Sequence, residues 1–163
     1  MPFLSVDTWS GLSVETKKAF LYQATRRTSE LLNIPPDKIQ VLIRESASEN
    51  WSKAGAHVTD SDFAAKTRLT DWNTSYDDGQ SPISNMTVIT IDVWNFYNQE
   101  QKDAWVRELT ILSGELLGTP ADSVLILIRD MVPGNWGQTG VTGASSNFLT
   151  DSRRLNVDFS VKS

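Results

Sequence analysis

The chain has 163 residues, a formal charge of −5, a pI of about 4.8 and no cysteine. That length suits one compact domain; the acidic surface repels phosphate and argues against nucleic acid; the absence of thiols removes disulfides, thiol nucleophiles and cysteine-bound metal. One histidine, His57, is too few for a histidine metal cage, and with neither a leader-like start nor a run of roughly 18 apolar residues the expectation is a soluble cytoplasmic protein off the membrane.

From the N-terminus, Leu4 and Val6 alternate with Ser5 and Asp7, the period of two that marks a half-buried strand. Ser10-Gly11-Leu12-Ser13 reads as a turn, with Ser13 placed to cap a helix and Glu15 favouring its positive start. From Val14 to about Asn33, Phe20, Ala24, Leu31 and Leu32 make an apolar stripe, and Pro35-Pro36 stops the helix. Ile39, Val41 and Ile43 then alternate with Gln40 and Arg44 as a second strand. Residues 70–85, with Asp78-Gly79 and Ser81-Pro82, read as a linker. Next, Asn98 predicts a helix cap, Trp105, Leu109, Leu112 and Leu116 one apolar face, and Gly118 a left-handed end. Val124 to Ile128 is a nearly all-apolar strand, of the kind expected to be covered on both faces. The tail alternates Leu155, Val157, Phe159 and Val161 and reads as one more short strand.

The second half repeats the first at an offset of 85 positions, without a gap from Met1 to His57. Asp7 matches Asp92, Trp9 matches Trp94, Lys17 matches Lys102, and Pro35 matches Pro120. Ile43-Arg44 matches Ile128-Arg129, Asn50-Trp51 matches Asn135-Trp136, and Gly55 matches Gly140. Phe63 and Arg68 match Phe148 and Arg153 at the same offset. Each copy reads as strand, helix, strand, and such a crossover makes its two strands parallel. The expected fold class is therefore α/β (an α+β sandwich): two tandem βαβ units giving a four-stranded sheet with two helices on one face. The first unit and hairpin take 1–69, the linker 70–85, and the second unit, hairpin and terminal strand 86–163. The uncovered face invites self-association.

A βαβ unit that starts Met1-Pro2-Phe3 and ends in an Asn-Trp and glycine hairpin resembles the tautomerase superfamily, in particular its 4-oxalocrotonate tautomerase group. Glu15-x-Lys17, Leu31-Leu32-x-x-Pro35, Glu49-Asn50-Trp51 and Gly134-Asn135-Trp136-Gly137 carry the same resemblance, over both repeats. It implies a tautomerase/MIF-like fold, a homotrimer for a two-unit chain, and an amino-terminal proline as catalytic group. That proline is Pro2, exposed as an amine if Met1 is removed. It would act as base or acid in keto-enol isomerisation of a small 2-oxo (enol) acid, without metal or cofactor. Two alternatives stand beside this: a hydratase, dehalogenase or decarboxylase of the same superfamily, and an inactive oligomeric binding or scaffold protein of the same fold. Thr87 holds the Pro2 place in the second copy, so each chain has at most one such site.

The departure from the family is the cation. The two positions where the isomerases carry carboxylate-binding arginines are Leu12 and Gln40 here, and Tyr97 and Leu125 in the second copy. A carboxylate substrate still needs a cation or several donors. The candidates are Arg44 and Arg129 on the second strands, and Arg68, Arg153 and Arg154 beyond the hairpins. Arg44 and Arg129 have a competing reading as ion pairs with Asp7 and Asp92. Trp51 and Trp136 are candidates for the pocket wall, or plugs of the hairpins onto the sheet. His57 and the acidic residues Asp60, Asp62, Asp77 and Asp78 read as solvated loop groups.

Overall fold

The computed structural model describes residues 1–76 and 82–156. The first unit contributes β1 (Phe3–Trp9), α1 (Val14–Leu32) and β2 (Gln40–Ser46), followed by a one-turn helix α2 (Phe63–Lys66). The second contributes β3 (Thr87–Trp94), α3 (Gln99–Leu117) and β4 (Val124–Met131). A small hairpin, β5 (Gly137–Gln138) with β6 (Val141–Thr142), and a one-turn helix α4 (Phe148–Asp151) complete it. The sheet order is β2-β1-β3-β4, parallel within each unit and antiparallel at the β1–β3 seam. Among the described residues, no helix is long and apolar enough to cross a membrane.

Both long helices start and stop for local reasons. Ser13 accepts from the Thr16 amide at 3.0 Å, and Asn98 forms a reciprocal capping box with Gln101. Gly118 ends α3 in the left-handed conformation, as its lack of a Cβ allows. In α1 the stop comes before the prolines: Asn33 takes the left-handed cap at φ 51°, and Pro36 opens a separate short turn.

The two helices pack side by side on one face of the sheet. Leu4, Val6, Ile89, Ile91 and Val93 meet Phe20, Ala24, Leu32, Trp105, Leu109 and Leu112 in one buried cluster. Thr28 completes the α1 stripe by accepting the indole N–H of Trp105 at 2.9 Å, which lets a large polar-tipped ring be buried without an orphan donor. At the strand ends, Lys17–Glu45 and Lys102–Asp130 repeat the same ion pair in the two units.

Among the described residues, no helix covers the opposite face. Of the apolar run of β4, expected to be covered on both faces, the single chain covers one: Val124, Ile126 and Ile128 face the helices, and Leu125 and Leu127 are 53% and 46% exposed. Leu42 on β2 is 44% exposed. Of the proposed terminal strand, Leu155 is exposed and Val157, Phe159 and Val161 lie outside the described residues.

Candidate active site at the start of the first strand

Pro2 leads directly into β1, and its carbonyl accepts the Gln40 amide at 3.1 Å, which ties the starts of β1 and β2 together. Met1 and Pro2 are both buried. Burial lowers the Met1 amine from 8.0 to about 6, because the charged form loses its water there. The start of β1 is thus a place that desolvates an amine and favours its neutral form.

Topology decides what surrounds it. β1 runs antiparallel to β3, with Phe3 opposite Asp92 and Thr8 opposite Thr87. The chain leaving β4 therefore arrives at the start of β1, and the chain leaving β2 arrives at the start of β3. Each hairpin serves the other unit. Trp136, in the second hairpin, belongs to the Pro2 end. Trp51 belongs to the Thr87 end, about 20 Å away along a seven-residue strand. There Trp51 donates to Ser46 Oγ at 2.6 Å and packs against the cluster of Ala56, Phe63 and Met86, as a plug of the hairpin onto the sheet.

The same crossing shows in the arginines beyond the hairpins. Arg153 forks onto Asp37 with two bonds of 2.8 and 3.0 Å, next to the start of β2. Arg68 is buried, reaches Asp122 at 2.7 Å and donates to the Ala64 carbonyl at 3.1 Å, next to the start of β4. Asp37 and Asp122 are themselves 85 positions apart, as are the two arginines, so one contact is made twice.

Arg44 and Arg129 both form the ion pairs that competed with a substrate role. Arg44 binds Asp7 with two bonds, at 2.8 and 2.9 Å, and Arg129 binds Asp92 at 2.7 Å. Both lie on the open face of the sheet, but at different ends. Asp92 is opposite Phe3, so Arg129 shares the row next to Pro2, two strands away. Arg44 is opposite Asp7, toward the Thr87 end.

Thr87, the counterpart of Pro2 in the repeat, lines a cleft of about 370 Å³ whose walls include Trp51, Lys53, Met86, Ser123 and Leu125. Its hydroxyl is buried and bonded to Thr119 at 2.7 Å and Thr8 at 3.3 Å. A backbone-locked residue with its side chain already satisfied offers no base.

The residues read as solvated loop groups have partners within the chain where they are described. His57 is half-buried, with its ring nitrogens bonded to Thr59 Oγ1 and the Glu49 carbonyl. Asp60 accepts from the His57 amide and pairs with Lys66, which also holds Asp62. Asp77 and Asp78 lie outside the described residues. The sequence reading passed over Lys38, a lysine 3% exposed in the turn before β2. Its place opposite Ser123 in the repeat was the available signal.

The family described as tautomerase enzyme matches residues 2–61 and 88–144, one segment in each unit. A probable tautomerase of Halalkalibacterium halodurans is 30% identical over 60 residues, 98% of that protein and 37% of this chain. The 2-hydroxymuconate tautomerase of Comamonas testosteroni is 36% identical over 55 residues, 87% of that protein and 34% of this chain. Among solved structures, native fused 4-OT superposes with a TM-score of 0.67 at 20% identity, over 87% of this chain and 96% of its own. A macrophage migration inhibitory factor-like protein of Entamoeba histolytica gives 0.63 at 13%, over 86% and 97%.

Proposed function

The chain belongs to the tautomerase family, and from that premise we propose that Pro2, freed by removal of Met1, is the proton-transfer group of a cofactor-independent isomerase acting on a small 2-oxo (enol) acid. The observation that carries this is geometric: Met1 and Pro2 are both buried at the start of β1, a place where an amine loses its water. Removing Met1 moves the amine to Pro2, which is buried in the full chain. A secondary amine kept neutral near pH 7 has a lone pair for the hydroxyl proton of an enol acid. The electron pair of the O–H bond becomes the carbonyl, the C2=C3 pair takes a proton at C3 from the Pro2 ammonium, and the amine is regenerated. No atom is gained or lost, as an isomerisation requires. Trp136 and its hairpin form the wall that keeps water from the amine.

We further propose that the active form is a homotrimer. Leu42, Leu125 and Leu127 leave an apolar stripe on the sheet face opposite the helices, and covering it removes that surface from water. The fused 4-OT structures similar to this chain include one described as an asymmetric trimer. In such an assembly Trp51 meets a Pro2 site only if that site belongs to a neighbour.

The test is ketonisation of phenylenolpyruvate, followed by ultraviolet absorbance, with protein whose N-terminus is confirmed as Pro2 by mass. The expected result is turnover well above buffer that Pro2→Ala removes by about 10²-fold or more. Equal rates in the two proteins would overturn the reading.

A further inference from the structure

An acid bound beside Pro2 needs a cation for its carboxylate, and the repeat shows which one the fold supplies. At the start of β3, Ser123 and, from the first unit's hairpin, Lys53 line the cleft beside Thr87. Their counterparts in the repeat are Lys38 and Gln138, at the Pro2 end of the sheet. Lys38 ends the short turn from which β2 enters the sheet, two residues before the amide that bonds the Pro2 carbonyl.

The charges around Lys38 do not cancel. Its ammonium lies 3.1 Å from Ser152 Oγ and 3.4 Å from an Asp37 oxygen. Asp37 is already engaged by the two-bond fork of Arg153. Two cations therefore share one carboxylate, and the more buried cation has the longer contact. A buried ammonium without a counter-ion of its own is costly, and an anionic ligand offsets that cost. Gln138 Oε1, at the same end of the sheet, is buried and has no hydrogen-bond partner, so a second polar group there is also unsatisfied. Arg129 is a weaker candidate, because it is two strands away, mostly exposed and neutralised by Asp92.

Resting on the Pro2 reading, we propose that Lys38 holds the carboxylate of the enol acid, as a buried lysine substituting for the arginines that Leu12 and Gln40 replace. Gln138 faces the polar end of the same ligand. The lysine acts as a point charge, which orients a carboxylate less strictly than a guanidinium fork and admits a wider range of small planar acids.

The test is calorimetric titration of the Met-free full chain with cinnamate, an unreactive planar carboxylate, and with cinnamyl alcohol, its neutral counterpart. Lys38→Met is expected to weaken cinnamate about 10-fold or more and Lys38→Arg by less than about 3-fold, with the alcohol unchanged in both. Lys38→Gln takes the place of Lys38→Met if circular dichroism shows that variant unfolded. Cinnamate binding that survives loss of the charge, equal weakening of acid and alcohol, or no cinnamate binding by the wild type would each overturn the proposal. Pro2→Ala separates it from the Pro2 reading. Unchanged turnover in that variant would sink the Pro2 reading, whereas the Lys38 proposal is read on cinnamate affinity alone, with no turnover involved.

Discussion

Arg153 grips Asp37 across 116 positions of chain, with Nε donating to Oδ2 at 2.8 Å and Nη2 to Oδ1 at 3.0 Å. The contact fastens the tail of the second unit to the strand start of the first. It also holds the Asp37 carboxyl down to about 2, chiefly through the Arg153 hydrogen bonds. A lowered carboxyl stabilises the fold above its unfolded pKa near 4, and that contribution fades as the pH falls toward 2. Arg153→Met should therefore lower the melting temperature by about 1–3 °C at pH 7 and by less near pH 2, since solvent screens a half-exposed pair. Thermal melts across that range check it, and an equal loss at both ends would count against the pair.

Asn85 is buried and joins three elements. It bonds Thr8 Oγ1, accepts from the Trp9 amide at 3.1 Å, and donates to the Leu117 carbonyl at 2.9 Å. Asn85→Ala strips partners from buried groups at the end of β1 and the end of α3. The expected cost is about 1–3 kcal/mol, read by urea denaturation.

Gly143 closes the hairpin that carries Trp136, donating its amide to the Trp136 carbonyl at 2.9 Å. A Cβ there would lie 2.6 Å from both the Pro133 carbonyl oxygen and the Trp94 ring. Gly143→Ala should cost about 1–3 kcal/mol through overpacking and lower turnover with it. Gly137→Ala, whose Cβ would have an ordinary 3.6 Å neighbour, is the control expected to pack without such a clash.

Leu125 and Leu127 are the residues on which the trimer proposal depends. The pair of substitutions Leu125→Glu and Leu127→Glu places like charges on the open face, while the helix-side residues of β4 stay unchanged. Light scattering should show a monomer where the wild type shows a trimer, and a persisting trimer would place the interface elsewhere.

The rate of ketonisation should rise with pH through one amine titration lying below the ordinary α-amino range of about 7.7–8.0. The sign follows from burial: desolvation disfavours the ammonium, so the neutral base persists to lower pH. A Gly-Ser extension ahead of Met1 blocks the processing that frees Pro2, and should abolish turnover at every pH.

Much of the fold was legible because its signals are local. Ser13 and Asn98 cap helices by reaching three residues along the chain, and Gly118 ends one through its own φ. The Asp7–Arg44 and Asp92–Arg129 pairs were readable from strand parity alone. Thr28 escaped notice because its partner, Trp105, lies on the other helix, and Lys38 because a lysine in a polar turn reads as exposed.

Taken alone, the residue order determined two βαβ units, their helix limits to within a residue or so, and a single proline with no counterpart in the second copy. Only the tertiary structure decided which parts meet. The antiparallel β1–β3 seam sends each hairpin to the other unit's strand start, which assigns Trp136 and Arg153 to the Pro2 end and Trp51 and Arg68 to the Thr87 end. Strand pairing across the seam joins residues some 80 positions apart, and a repeat whose halves share one hydrophobic pattern carries no local signal for how those halves align.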